Sequence, residues 1–491
     1  MATAESVRRL PLPPWEPADL AAALGSGPVA LLDGITWEGR RVALVAWAPE
    51  ARARTVAEAA AAADRTPLPP QAPPLLAAAV GRLDWDGTGR FWVPGSAALF
   101  DREAGELWVR GRLPAVPGRG CPPVRSGACA GEGGADASES STNAGESGGT
   151  AGKSGGNTGE NGANVRKSGA DARKSGADEG EVGLAAGQGG SGRPGERASA
   201  HAPPHRAVPL WPYPAYAAAV REALTAMAEG RLTKVILSVP FAAPCPLPPA
   251  AIYRPLTAGS PPGLGFLLRV GAGGETLVGI SPEPLVFLEA GRAHMHLLAG
   301  TRPAERASEL AASPKDREEH AVAVEQARRD LEAVCLPGSV AVEAFMELER
   351  HPGLVHLASR LSGTLRPDLG PGDLVAACFP AGTVGGIPRE AARALIDRLE
   401  PVPRGWYAGA VGAVLPGGGL QLWLTIRSLA LRDGTVLVRA GAGLVPGSDP
   451  AAEWRECMAK AERALAAAGA ALPPAEELMR GEDAVRGGDP T

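Results

Sequence analysis

The sequence predicts an α+β protein built on antiparallel sheets. Short β-rich runs follow one another across turn-length Gly/Pro segments, only isolated helical patterns interrupt them, and no strict βαβ alternation appears. The apolar fraction of 45% supports a sizeable core, yet aromatic residues supply only 4%, so that core must rest on Leu, Val and Ala.

Residues 1–117 read as an N-terminal α/β segment. VALLDGITWEGRRVALVAWAP (29–49) gives two strands around a turn, and VAEAAAAADR (56–65) a short helix. From 118 to 206 the composition changes to Gly, Ser, Ala, Asn and scattered charge, with KSGG at 153–156 and KSGA at 167–170 and 174–177. With almost no large apolar residue, this stretch cannot offset its ordering entropy and is expected to be a disordered low-complexity insertion. Its GGTAGKS (148–154) approximates a phosphate-binding loop, but position 147 is Ser rather than Gly and no strand precedes it, so a chance match is the better reading.

Regular patterning resumes over 207–470, the expected catalytic region, with 471–491 as a flexible tail. WPYPAYAAAVREALTAMAEG (211–230) is a helix: Pro214 suits its first turn, Val220, Leu224 and Met227 line one face, and Gly230 ends it. Strands are expected at 234–239, 264–270, 276–288, 293–298, 339–347, 354–361, 406–415, 420–430 and 434–440, and helices at 315–335, 388–399 and 450–468.

A formal charge of −5 and a pI near 5.9 leave no basic field for nucleic acid or anionic lipid, so small anions must be met by local cations or a metal. The six cysteines (Cys121, Cys129, Cys245, Cys335, Cys378, Cys457) form no CxxC pair, against a disulfide scaffold or zinc ribbon. The N-terminus lacks a signal-peptide apolar region and no run reaches membrane length, so a cytoplasmic protein without membrane association is expected.

Two acidic helices stand out. Ser313 can cap KDREEH (315–320), Pro314 fits the first position, and Asp316 and Glu319 share a face. In the last helix Glu453, Glu456 and Lys460 fall within roughly 60° of one another, beside an apolar stripe of Trp454, Cys457, Met458, Ala461 and Leu465. Two helices with two carboxylates each would suit Mg²⁺. Acids favoured by the helix dipole and a solvated Glu456–Lys460 pair explain the same spacing. His294 and His296 form an HxH without an evident third ligand and read as surface or packing residues.

Eight motifs occur in order: KVILS (234–238), SPE (281–283), LLAGT (297–301), KDREEH, GIPRE (386–390), RGWYAG (404–409), AGAG (440–443) and SDPAAEWRECMAK (448–460). Together they resemble the chorismate-utilising enzymes, the family of isochorismate, salicylate, anthranilate and aminodeoxychorismate synthases. The resemblance runs through residues 209–468, with a weaker echo in the first hundred or so.

The resemblance implies large antiparallel sheets packed face to face with helices outside, and a Mg²⁺ ion at Glu319 and Glu456, with Asp316 and Glu453 acting through water. It implies that Tyr407, Arg427, the Gly441, Ala442 and Gly443 backbone, and Lys460 hold substrate carboxylates, while Thr301 and His356 border the ring. Lys234 would be the base that activates water, and Glu283 the acid that protonates the departing hydroxyl. Lysine acts as a base only when neutral, a form that desolvation favours. Anthranilate synthases generally carry glutamine at the position of Lys234, and aminodeoxychorismate synthases a lysine at that of Ala299. The resemblance therefore points to a water-adding member with no obligatory protein partner. KDREEH, PRE and RGWYAG favour isochorismate synthase, serving menaquinone or siderophore biosynthesis. KVILS, LPGSVAVEAFMEL and GIP lie closer to salicylate synthase.

Overall fold

The computed structural model describes residues 7–480, except 26, 38–39, 112, 115, 117–202, 260–262, 271–273 and 352–353. The phosphate-loop-like GGTAGKS and nearly all of the expected insertion lie outside the described residues.

The N-terminal segment supplies strands β1 (Val7–Pro11), β2 (Val29–Trp37), β3 (Arg40–Ala53), β4 (Ala79–Leu83), β5 (Gly89–Asp101) and β6 (Glu106–Arg110). It also supplies helices α1 (Pro17–Ala23) and α2 (Val56–Asp64), the latter capped by Thr55, whose side chain accepts from the Glu58 N–H. The second half opens with α3 (Tyr213–Ala228), then β7 (Lys234–Pro244), α4 (Pro249–Thr257), β8 (Leu264–Arg269), β9 (Thr276–Ser281), β10 (Pro284–Glu289) and β11 (Arg292–Pro303). It continues through α5 (Pro314–Glu332), β12 (Ala341–His351), β13 (Leu354–Thr364), α6 (Pro371–Cys378) and α7 (Arg389–Leu399). β14 (Ala410–Val414), β15 (Leu420–Leu424), β16 (Ser428–Arg432), β17 (Thr435–Leu444) and α8 (Pro450–Ala467) complete the series used below.

These strands form one antiparallel ladder. One wing runs β12–β13–β11–β10–β15–β14–β4–β5, and the other runs β5–β3–β2–β8–β9–β16–β17–β7. The faintly patterned N-terminal strands thus sit in the middle of the ladder, between the strands that carry the motifs. The α+β, antiparallel expectation holds, with helices packed against the ladder.

Four local expectations change. The predicted 276–288 strand divides at Pro282, because the chain there leaves one wing for the other. The predicted 420–430 strand divides in the same way, and Arg427, expected within a strand, stands in the break with φ +51. The insertion ends earlier than 206, since His205–Arg206 pairs in parallel with Ala470–Ala471. The tail is ordered beyond 471, where Ala475–Arg480 is helical and Leu478 is buried. No described helix is long and apolar enough to cross a membrane. Cys245, Cys335, Cys378 and Cys457 are buried free thiols.

The apolar stripe of α8 packs as its spacing requires. Trp454, Cys457, Ala461 and Leu465 are fully buried, and Tyr213 and Tyr216 of α3 meet the Trp454 ring at centroid distances of 5.6 and 5.3 Å. That packing directs the acidic shoulder of α8 toward β17.

Candidate active site

Two adjacent chain segments cross between the wings side by side. β9 passes to β10 through Ser281–Pro284, and β15 passes to β16 through Thr425–Ser428. Backbone bonds tie the crossings together: Leu424 N–H donates to Glu283 O at 3.0 Å and Ile280 N–H to Arg427 O at 3.3 Å. A strand that changes sheets must bend, and the bends put Glu283 and Arg427 at the joint.

Glu283 is buried, and desolvation raises its carboxyl pKa to about 7, against the opposing pull of Thr383, Lys234, His296 and Arg427. Arg427 remains solvent-accessible, although desolvation is the largest influence on its guanidinium and lowers its pKa. A side chain both accessible and flanked by protein lines a concave cleft. Among the described residues its guanidinium has no hydrogen-bond or ion-pair partner, while Tyr407, Glu456 and Glu283 are near enough to act on it electrostatically.

The opposite wall is the β7–β17 pair. Lys234, the first residue of β7, is buried and lies 2.6 Å from Glu319 of α5. Gly443 of β17 makes room for them, since a Cβ there would stand 3.2 Å from Glu319 Oε1 and 3.5 Å from Lys234 Cε. β17 pairs with β7 along its whole length but with β16 only up to Val438, so beyond that point its other edge pairs with no strand among the described residues. Lys460 donates to Gly441 O at 3.0 Å and pairs with Glu456 at 2.5 Å, the i,i+4 contact its spacing allows. Tyr407 is buried, which pushes its phenol up to about 12 and keeps it a donor; its oxygen would lie 2.9 Å from a Cβ at Gly441.

α5 closes the site from above β11. Ser313 caps it as expected, accepting from Asp316 N–H at 3.3 Å. Asp316 pairs with Arg302 at 2.8 Å, and a Cβ at Gly300, where φ is +62, would meet Asp316 Oδ1 at 3.1 Å. Thr301 and His356 are direct cross-strand partners in the β11–β13 register. Glu453 is buried on α8. Asp316, Glu319 and Glu456 each face a cation, and no three His, Cys, Asp or Glu side chains converge as metal ligands among the described residues. His296 pairs with Glu349 at 2.9 Å and is near enough to Glu283 to act on it electrostatically.

Sequence reasoning gave no role to several residues found here. His320 is fully buried, hydrogen-bonds Ser359 Oγ at 2.7 Å, and is held neutral by desolvation and by Lys234, which lower its pKa to about 4. Thr383, in the turn before α7, acts on Glu283 without a well-directed hydrogen bond. Glu400, Arg404 and Arg439 form a buried ionic group beside β7. A cavity of about 20 Å³ behind Glu283, lined by Met295, Gln326, Asp330 and Thr383, has room for one water and none for a ring.

Over residues 28–466 the chain matches the pattern of the chorismate binding enzyme family. Anthranilate synthase component 1 of Arthrobacter globiformis is 39% identical over 268 residues, 52% of this chain and 50% of that protein. The Streptomyces coelicolor protein of the same name is 39% identical over 251 residues, 49% of this chain and 48% of its own length. The chain thus spans about half the length of the curated relatives it matches. Among solved structures, the menaquinone-specific isochorismate synthase MenF of Escherichia coli aligns with a TM-score of 0.66 at 18% identity, covering 95% of each chain. Anthranilate synthase component I of Streptococcus pneumoniae aligns at 0.64 and 20%, covering 88% of this chain and 93% of its own. At such identities these structures speak for the fold, and the N-terminal strands belong to it as much as the motif-bearing ones do. With the family pattern spanning both halves, the chain belongs to the chorismate binding enzyme family.

Proposed function

We propose that this chain is an isochorismate synthase, adding water at ring carbon 2 of chorismate with loss of the carbon 4 hydroxyl. One observation carries the choice within the family: residue 234 is a lysine, buried at the cleft end of β7 and near enough to influence Glu283. Water is a poor nucleophile and hydroxide a poor leaving group, so a base and an acid must act together.

Arg427 can grip one substrate carboxylate through two parallel bonds, and the Tyr407 hydroxyl donates to the same group. Lys460 and the free edge of β17 at Gly441, Ala442 and Gly443 meet the remaining negative charge, while Thr301 and His356 border the ring. Lys234 takes a proton from water as its oxygen bonds to carbon 2. The ring double bond shifts, the bond from carbon 4 to oxygen breaks, and protonated Glu283 delivers its proton to the departing hydroxyl. One water enters and one leaves.

The donor set suits Mg²⁺, being made of carboxylate oxygens alone, with Gly300 and Gly443 leaving space beside Asp316 and Glu319. Glu319 and Glu456 would hold the ion, with Asp316 and Glu453 reaching it through water. When bound, the ion neutralises the ring carboxylate. Residues 1–117 and 207–470 are taken as one catalytic unit interrupted by the insertion.

The matched relatives named anthranilate synthase component 1 favour a second reading, ammonia-dependent anthranilate formation with a partner chain. Incubating the purified chain with chorismate and Mg²⁺, with and without ammonium, separates the readings. Isochorismate, formed reversibly by the chain alone and lost with EDTA, is the expected product. Pyruvate release in step with consumption would favour salicylate synthase. Anthranilate appearing only with ammonium would remove the lysine argument, and binding without turnover would point to a regulator.

A further inference from the structure

The buried ionic group beside β7 has a geometry that stability alone does not explain. Arg404, Glu400 and Arg439 have side chains only 1–2% exposed. Isolating such charges from water is costly, and replacing buried ion pairs with apolar residues is often neutral or stabilising. What distinguishes this group is where its hydrogen bonds go. Arg404 NH2 donates to Ile236 O at 2.7 Å, two residues along β7 from Lys234. Its NH1 donates to Val384 O at 2.8 Å, immediately after Thr383, which acts on Glu283. Nε and NH2 grip both Glu400 oxygens at 2.8–3.2 Å.

Glu400 in turn accepts from Ser238 N–H at 2.8 Å and Ser238 Oγ at 2.9 Å, fixing β7 at a second point. Arg439 NH1 braces Glu400 from β17 at 2.7 Å. The Arg404 guanidinium lies 4.4 Å from the Trp85 ring centroid and 5.6 Å from that of Tyr407, so it cannot swing without losing both contacts. Trp85 is itself tied to α7 by a 2.9 Å bond to Asp397.

We propose that Arg404, locked by Glu400, is a positioning residue that holds the Lys234 strand and the Thr383 turn at the separation the base and acid need. One planar fork spans two main-chain carbonyls on different segments, a geometry a lysine cannot reproduce. The inference rests on the roles proposed above for Lys234 and Glu283, but not on the identity of the product.

Arg404→Lys keeps the charge and loses the fork. Misplacing reacting groups by about 1 Å can lower a rate about a hundredfold. The variant is therefore expected to lose about ten- to a hundredfold in kcat, with the KM for chorismate within about threefold of wild type, because Arg427 and Lys460 are untouched. Both constants are measured as chorismate consumption, at a temperature where circular dichroism shows the variant folded. Wild-type kcat at saturating chorismate, whatever the melting temperature, overturns the proposal and leaves the group structural. A raised KM with unchanged kcat also overturns it, by moving the role to ground-state binding through Tyr407. If Arg404→Lys does not fold, Glu400→Gln is judged by the same two constants. Product identity is read on the wild type alone, so an anthranilate product would refute the proposed function while the variant ratio still tests the clamp.

Discussion

The sharpest consequence of the site concerns Glu283 and pH. Desolvation raises its pKa from 4.5 to about 7. A carboxyl left at 4.5 would be protonated in only about 0.3% of molecules at pH 7, whereas at about 7 roughly half carry the proton. Burial thus enlarges the competent acid population by about 150-fold at neutral pH. The raised group keeps its proton below about pH 7 and loses it as pH rises, so kcat/KM should fall about tenfold per unit above that point. The measurement is initial rate at limiting chorismate and fixed free Mg²⁺ between pH 5.5 and 9. Glu283→Gln should remove the acid and lower the rate at least about a hundredfold. Thr383 opposes the rise, so Thr383→Val should move the alkaline limb to higher pH. A rate flat through pH 8.5, or a Gln variant retaining a tenth of wild-type turnover, refutes the assignment of Glu283 as acid.

Lys234→Gln should preserve the fold and chorismate affinity while lowering turnover with water at least about a hundredfold, checked by steady-state kinetics beside a binding titration. Arg427→Ala should raise the KM for chorismate about ten- to a hundredfold, the worth of a charge-assisted contact, as read from saturation curves. Gly443→Ala would bring a Cβ within 3.2 Å of Glu319 Oε1, so a Mg²⁺ titration of activity should show a requirement several-fold higher.

The sequence made the helices of the site legible and the joint between them obscure. α5 and α8 announce themselves by capping residues, a Pro at the first position and apolar spacing, all of which are local. Arg427 sits in LWLTIRSL, whose alternation reads as an unbroken strand. Its φ of +51 is imposed by the crossing from one wing to the other, a long-range event with no local signal. α4 was missed because Pro248, Pro249 and Pro255 argue against a helix, although the first two serve its start. Glu400 and Arg404 stand four residues apart, and nothing in that local spacing reveals their burial. The central place of the N-terminal strands has no local signal, because their partners, β8 and β14, lie hundreds of residues away.

Similarity to anthranilate synthases and the choice of an isochorismate reaction are compatible for a physical reason. Every reaction proposed for the family must hold the same substrate carboxylates and help a hydroxyl depart from the ring. On the proposed reading, Arg427, Tyr407, the β17 edge and Glu283 serve those shared needs. What differs between products is the nucleophile, and only a group able to take its proton can recruit water. Ammonia is a far stronger nucleophile than water and needs no such base, so on this reading a glutamine suffices where ammonia attacks. Here that position holds a buried lysine, 2.6 Å from Glu319. Identity averaged over 268 residues weights this one position no more than any other, while the chemistry turns on it.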